Sequence, residues 1–252
     1  MNGRAVPGGA APRRVFVAGA TGAVGRVLCR LLVADGWHVT GTTRKPESAQ
    51  SLEALGVEPA VVDVFDAAAL RDAVVGARPA AVVHQLTDLP KAFDPAALAA
   101  ALDRNAQLRE VGTRNLADAC LAANVSTLVA QSIAFAYAPG PQPYTEDAPL
   151  DVNSANPAAA RSARGVATLE RLVLGGPFRG VALRYGRLYG PGTWSATPSA
   201  LGCPVHVDAA ADAARRALTR GEAGIYNVAE LDGAVTIDRA VHQLGWDPAF
   251  RA

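Results

Sequence analysis

The chain has almost no net charge, +1 over 252 residues, which leaves no electrostatic case for nucleic acid or an acidic membrane surface. It has no apolar run long enough to cross a bilayer. Cysteine is scarce: Cys29, Cys120 and Cys203 are odd in number, far apart and without CxxC or metal-type spacing. They give no disulfide framework and no metal site, and they read as core or surface thiols in a reducing compartment, the cytoplasm. The opening MNGRAVPGGAAPRR lacks the apolar centre of a secretory signal. Residues 1–13 therefore read as a flexible tail. Internal repeats and low-complexity tracts are missing, apart from general alanine richness.

What is present is a hydrophobic half of the composition, enough for one α/β domain over residues 14–252. Its organising stretch is RVFVAGATGAVGR, Arg14 to Arg26. The apolar run Val15 to Ala18 reads as a buried strand. Val24, Val27, Leu28, Leu31 and Leu32 then fall at helical spacing. Gly19, Gly22 and Gly25 punctuate the join. Gly19 permits a sharp turn, Gly22 lets a diphosphate approach the backbone, and Gly25 allows close helix packing. The turn from Gly19 through Thr21, Gly22, Ala23, Val24 and Gly25 is then a phosphate cradle built on free N–H groups and the helix dipole. The glycine triplet alone is weak evidence, but its place between a first strand and a first helix makes it specific.

Further strands are expected at His38–Thr43, Pro59–Val62, Ala80–His84, Ser126–Ser132, Gly180–Tyr185 and Ile225–Val228. Helices are expected at Glu47–Leu55, Ala67–Val75, Pro95–Ala123 with an irregularity at Gly112, Pro157–Leu174 and Ala209–Thr219. This alternation predicts a Rossmann-type, doubly wound parallel sheet of about seven strands, with ligands at the strands' carboxyl ends. The second strand ends in Thr43-Arg44-Lys45, with no carboxylate before Glu47. An arginine there pairs with a 2′-phosphate, whereas a carboxylate would repel it, so NADP is favoured and NAD is the alternative. Asp63, followed by Val64, stands after the third strand, either to meet the adenine amino group or to cap the next helix. Gln85, Leu86 and Thr87 end the fourth strand beside the middle of the cofactor.

The segments GATGAVG, VVDVFD, VVHQL, GTRNLADAC, LRYGRLYGPG and HVDAAADAA resemble the short-chain dehydrogenase/reductase superfamily. More narrowly, the chain resembles its extended or atypical branch, the NAD(P)-dependent epimerase/dehydratase group. The resemblance implies a nicotinamide cofactor and a small or sugar-like substrate. It also implies a catalytic Tyr and Lys in YxxxK and a Ser or Thr ending the fifth strand. Here the Tyr position falls on Ser162, the Lys position on Val166 and the Ser position on Ile133. No Tyr lies between Asp151 and Gly180, and no Lys follows Lys91. The family's structural Asn is replaced by Arg109, with Asn105 one helical turn earlier.

Candidate substitutes for the missing groups are Ser132, Tyr137, Tyr185 and Arg161. Each also has an ordinary structural reading, as core-edge aromatic or solvated helix face. The segments 191–205 and 229–252 are expected to be remnants of a much reduced C-terminal substrate region, with Trp194 a candidate wall for an aromatic substrate. Three functions remain open. The chain is an NADP-dependent reductase, epimerase or isomerase with a non-standard site, acting on a specialised metabolite or sugar-like compound. Alternatively it is an inactive dinucleotide-binding redox sensor, or a non-redox enzyme with a structural cofactor. The resemblance further implies a homodimer through the helices Pro95–Ala123 and Pro157–Leu174.

Overall fold

Short, wholly apolar strands bury both of their faces only when helices cover the sheet on each side. The computed structural model, which describes residues 13–90 and 94–252, has this three-layer form. The strands are β1 (Arg14–Ala18), β2 (His38–Thr43), β3 (Glu58–Val61), β4 (Ala81–His84), β5 (Thr127–Ile133), β6 (Arg179–Tyr185), β7 (Arg187–Tyr189), β8 (Pro204–His206) and β9 (Gly224–Val228). Seven form one parallel sheet in the order β3-β2-β1-β4-β5-β6-β9. The chain winds outward from β1 in both directions, so the switch point and its crevice lie between β1 and β4.

The helices are α1 (Ala23–Ala34), α2 (Ala49–Glu53), α3 (Ala67–Ala77), α4 (Pro95–Gln107), α5 (Thr113–Ala122), α6 (Pro157–Leu174) and α7 (Val207–Ala217). One face of the sheet packs on Val27, Leu28 and Leu32 of α1 and on the alanine face of α7. The other packs on Leu70 and Val74 of α3, Leu116 and Cys120 of α5, and Leu169 and Val173 of α6. Each such aliphatic side chain contributes roughly 1.5–3 kcal/mol on burial. All three cysteines are buried free thiols among the described residues. Residues 1–12 of the expected tail lie outside the described residues.

The irregularity expected at Gly112 is a π-helical turn, Leu108–Gly112, which interrupts the long helix over 95–123 between α4 and α5. A side chain at Gly112 would crowd Val64 at 3.2 Å, so glycine lets this irregular turn sit close to the loop after β3. The small ribbon of β7 and β8 departs from the sequence expectation, because three-residue strands carry no readable period. The segment after β9 folds back onto the main core. Trp246 is buried and its Nε1 donates to the Ala209 carbonyl at 2.8 Å, while Val235, Ile237 and Leu244 join the α1/α7 cluster.

Candidate active site

At the end of β1 the three glycines meet three different steric conditions. Gly19 has φ +91°, and a Cβ there would lie 2.7 Å from the Gln85 carbonyl. A Cβ at Gly25 would lie 2.1 Å from the Gly19 oxygen, so the helix is pinned to the turn by the missing side chain. Gly22 is different, because its Cβ would meet nothing nearer than 3.4 Å. It is the N-cap of α1 and has no side-chain cap, so the N–H groups of the first turn face outward without a side-chain acceptor.

A groove of about 280 Å³ opens in front of this turn. Gly19, Thr21, Gly22, Thr43, Arg44 and Asp63 line it, together with Val64, Gln85, Leu86 and Thr87. Ala23, Val24 and Gly25 do not; Val24 is buried against the core. Leu108, from the π-turn, and Leu89 complete the wall. Asp63 uses its carboxylate to accept from Phe65 N, and Asp66 is the residue that caps α3. Arg44, half exposed, lies 3.5 Å from Asp88, whose other oxygen accepts from Arg104 at 2.8 Å. Two cations share that one carboxylate. Gln85 is buried, its Nε2 donates to Tyr185 Oη at 3.1 Å, and its Oε1 has no partner. Uncapped amides, an unpaired amide oxygen and a surplus cation fit a dinucleotide along the groove.

The candidate proton-handling groups are engaged elsewhere. Register pairs Ser132 on β5 with Arg184 on β6, and both reach Glu170 of α6. Ser132 Oγ donates to Glu170 Oε1 at 2.7 Å, and Arg184 forms a fork to both oxygens at 2.8 Å. All three are buried. Burial pulls the Arg184 guanidinium down, but Glu170 more than offsets it and the net shift is upward. Tyr137 Oη donates to Asn227 at 2.6 Å, and Tyr185 accepts from Gln85. Burial raises both phenols above their ordinary value. Arg161 faces the α4 side, where Glu110 and Asp103 hold it. Asn105 ties the loop after β4, accepting from Asp88 N and donating to Asp88 O.

Ser162 is met by Arg109, which stands on the π-turn and donates to Ser162 Oγ at 3.1 Å. Burial pulls Arg109 down to about 10, against the opposing charge of Glu170. His84 is held neutral: burial, then the charge of Arg109, lower it to about 4. Its Nδ1 accepts from Leu86 N, so Nε2 donates to Thr113 Oγ1. Val166 is fully buried against Ile133 and Ala163. Thus an arginine–serine pair and a valine occupy the positions where the resemblance implies a tyrosine and a lysine. In the sequence Arg109 stands out only as the replacement for the family's structural Asn, and Gly112 is the only mark of the π-turn that carries it. The stack of Arg187 on Phe135, 4.3 Å from guanidinium to ring, has no counterpart in the sequence pattern.

Comparisons with known proteins agree with this geometry. Residues 15–201 match the model of the NAD dependent epimerase/dehydratase family. The chain is 42% identical over 225 residues to the 3-diazoavenalumate denitrifying reductase of a Streptomyces species, covering 88% of this chain and 69% of that protein. The fold is similar to that of UDP-glucose 4-epimerase from Thermotoga maritima, solved with UDP-glucose, with a TM-score of 0.75, 15% identity and 94% of each chain covered. It is likewise similar to a short-chain dehydrogenase/reductase superfamily protein from Agrobacterium tumefaciens with bound NAD, with a TM-score of 0.73, 20% identity, and 95% and 93% covered. A glycine-turned groove at the switch point, a seven-stranded parallel sheet and these matches lead to one conclusion: the chain belongs to the NAD-dependent epimerase/dehydratase family of the short-chain dehydrogenase/reductase superfamily.

Proposed function

We propose that this protein is an NADP-dependent reductase whose substrate requires a hydride but no proton from the enzyme, and that a diazo compound is the substrate class. One observation carries the reading: Ser162, bound by Arg109, and buried Val166 stand where the resemblance implies the tyrosine and the lysine. Reduction of a carbonyl leaves an alkoxide, which a positioned acid must protonate. When bound in the groove, the reduced dinucleotide supplies a hydride, and a diazonium carbon that takes it releases dinitrogen without any proton, R–N₂⁺ + H⁻ → R–H + N₂. The relative named for denitrifying reduction of a diazo compound supports the same class.

In this reading Gly22 and the first turn of α1 hold the diphosphate, and Arg44 pairs with the 2′-phosphate. Gln85 offers its free amide oxygen beside the middle of the dinucleotide. Tyr185 and Ser132, buried and hydrogen-bonded to Gln85 and Glu170, exchange no protons with substrate. Burial and the charge of Arg109 together disfavour protonation of His84. A homodimer through α4 and α6, which pack side by side, belongs to the same reading, and the mass in solution tests it.

The test is anaerobic NADPH oxidation with a diazotised aminobenzoate and, separately, with a matched aryl ketone. The expected result is turnover of the diazonium, with dinitrogen released, and none of the ketone. Turnover of the ketone would overturn the reading. Tight NADPH binding without any oxidation would favour the dinucleotide-binding sensor instead.

A further inference from the structure

Most arginines near the carboxyl edge of the sheet already have acceptors. Arg184 has Glu170, Arg161 has Glu110, Arg44 has Asp88, and Arg109 spends a donor on Ser162. Arg187 does not. It is half-buried, its Nε is buried with no hydrogen-bond partner, and no ion pair reaches it among the described residues. Its one side-chain contact of note is the face of Phe135. A desolvated donor without an acceptor is a costly arrangement that a ligand can repair.

The local fold explains how Arg187 comes to stand there. β6 pairs with β9 up to Gly186, whose N–H donates to Val228 O. The chain then changes partner, and Arg187 N donates to Cys203 O at the start of the β7/β8 ribbon. A side chain at Gly186 would lie 2.4 Å from that same Cys203 oxygen, so glycine permits the change. Ile133 and Tyr185 are paired in register at the ends of β5 and β6. Phe135 and Arg187 each follow two residues later, side by side just beyond the sheet. Phe135 keeps 42% of its surface exposed. Burial lowers the Arg187 guanidinium from its usual value, with an opposing effect from Cys203.

We infer that Arg187 and Phe135 form the subsite for the carboxylate of the substrate. A guanidinium backed by an aromatic ring presents its planar edge, and a carboxylate matches that edge in two parallel hydrogen bonds. The diphosphate of a dinucleotide is the wrong candidate. The glycine loop follows β1, three strands from β6, and three strand spacings amount to about 14 Å. The free face of Phe135 adds a preference for a flat, unsaturated or aromatic body attached to the acid. The inference rests on the reductase reading for the identity of the ligand as substrate, but its test needs no turnover.

The test is calorimetric binding to the NADP⁺-loaded protein, with benzoate, phenylacetate and cinnamate against their primary amides. At least one acid is expected to bind about ten- to a hundredfold more tightly than its amide, the scale of a charge-assisted pair. Arg187→Ala should erase that difference, and Arg187→Lys should restore only part of it, because the ammonium lacks the fork. Both variants should bind NADP⁺ as the parent does, which separates a lost subsite from a lost fold. Equal binding of acid and amide, no binding of any acid, or an unchanged preference in Arg187→Ala would overturn the inference. Carboxylate binding that survives while no diazonium is ever reduced would sink the reductase reading and leave the subsite standing.

Discussion

Gly22 and Gly25 sit three residues apart on one turn, and the same substitution should have opposite effects at the two. Gly25→Ala places a methyl 2.1 Å from the Gly19 carbonyl oxygen and 3.0 Å from Ala20 backbone atoms. Both neighbours are main chain at the end of a central strand, and neither can give way without opening the β1–α1 turn. Overpacking of this kind costs about 1–3 kcal/mol or more. For a chain of this length each kcal/mol lowers Tm by about 2–4 °C. Gly22→Ala meets nothing closer than 3.4 Å, and its φ of −73° and ψ of 172° suit alanine. Its stability should change by less than about 0.5 kcal/mol, or rise slightly through the less flexible unfolded chain. The new methyl stands where the diphosphate must approach, so NADPH affinity should fall at least about tenfold, the effect of losing one or two charge-assisted hydrogen bonds. Differential scanning calorimetry and an NADPH titration by protein-to-nicotinamide fluorescence transfer measure both quantities. A Gly22→Ala protein that binds NADPH normally would refute the placement of the diphosphate. A Gly25→Ala protein that melts normally would refute the packing argument.

Three further expectations use other parts of the molecule. Arg44→Ala should weaken NADPH by about tenfold or more and leave NADH nearly unchanged, by the same titration; equal losses for both would remove the 2′-phosphate from Arg44. His84, lowered to about 4 in the fold and near 6.5 when unfolded, stays neutral while the unfolded chain gains a proton. Stability should therefore fall as pH drops from about 6.5 toward 4, by about 3 kcal/mol in urea unfolding, and His84→Asn should flatten that slope. Ser162→Ala should leave reductase turnover within a few-fold of the parent, and a loss beyond about a hundredfold would make Ser162 an acid/base group after all.

The fold could be read in the sequence because its signals are local. Val15 to Ala18, then Gly19, Gly22 and Gly25, define a strand, a turn and a helix without help from the rest of the chain. The helix expected over Pro157–Leu174 has those bounds in the structure, where Asn156 caps its start and proline opens it. The groove was legible as far as it is made of strand ends, which a doubly wound sheet must bring together. The buried network was not. Ser132, Glu170 and Arg184 are 38 and 14 residues apart and meet only through the β5–β6 register and the seating of α6. The π-turn was legible only as an irregularity at Gly112, because composition does not distinguish a widened turn from a break. Arg187 gave no signal, since a short ribbon that changes strand partner leaves no period to read.

In the proposed reaction a hydride moves from the dinucleotide to a carbon that then needs no acid. Mass spectrometry after reaction of a diazotised aminobenzoate with C4-deuterated NADPH in ordinary water tests it most directly. The deuterium should replace the diazo group on the product carbon, in step with dinitrogen release and NADP⁺ formation. A product carrying only solvent hydrogen there, or dinitrogen release with no NADPH consumed, would contradict the claim.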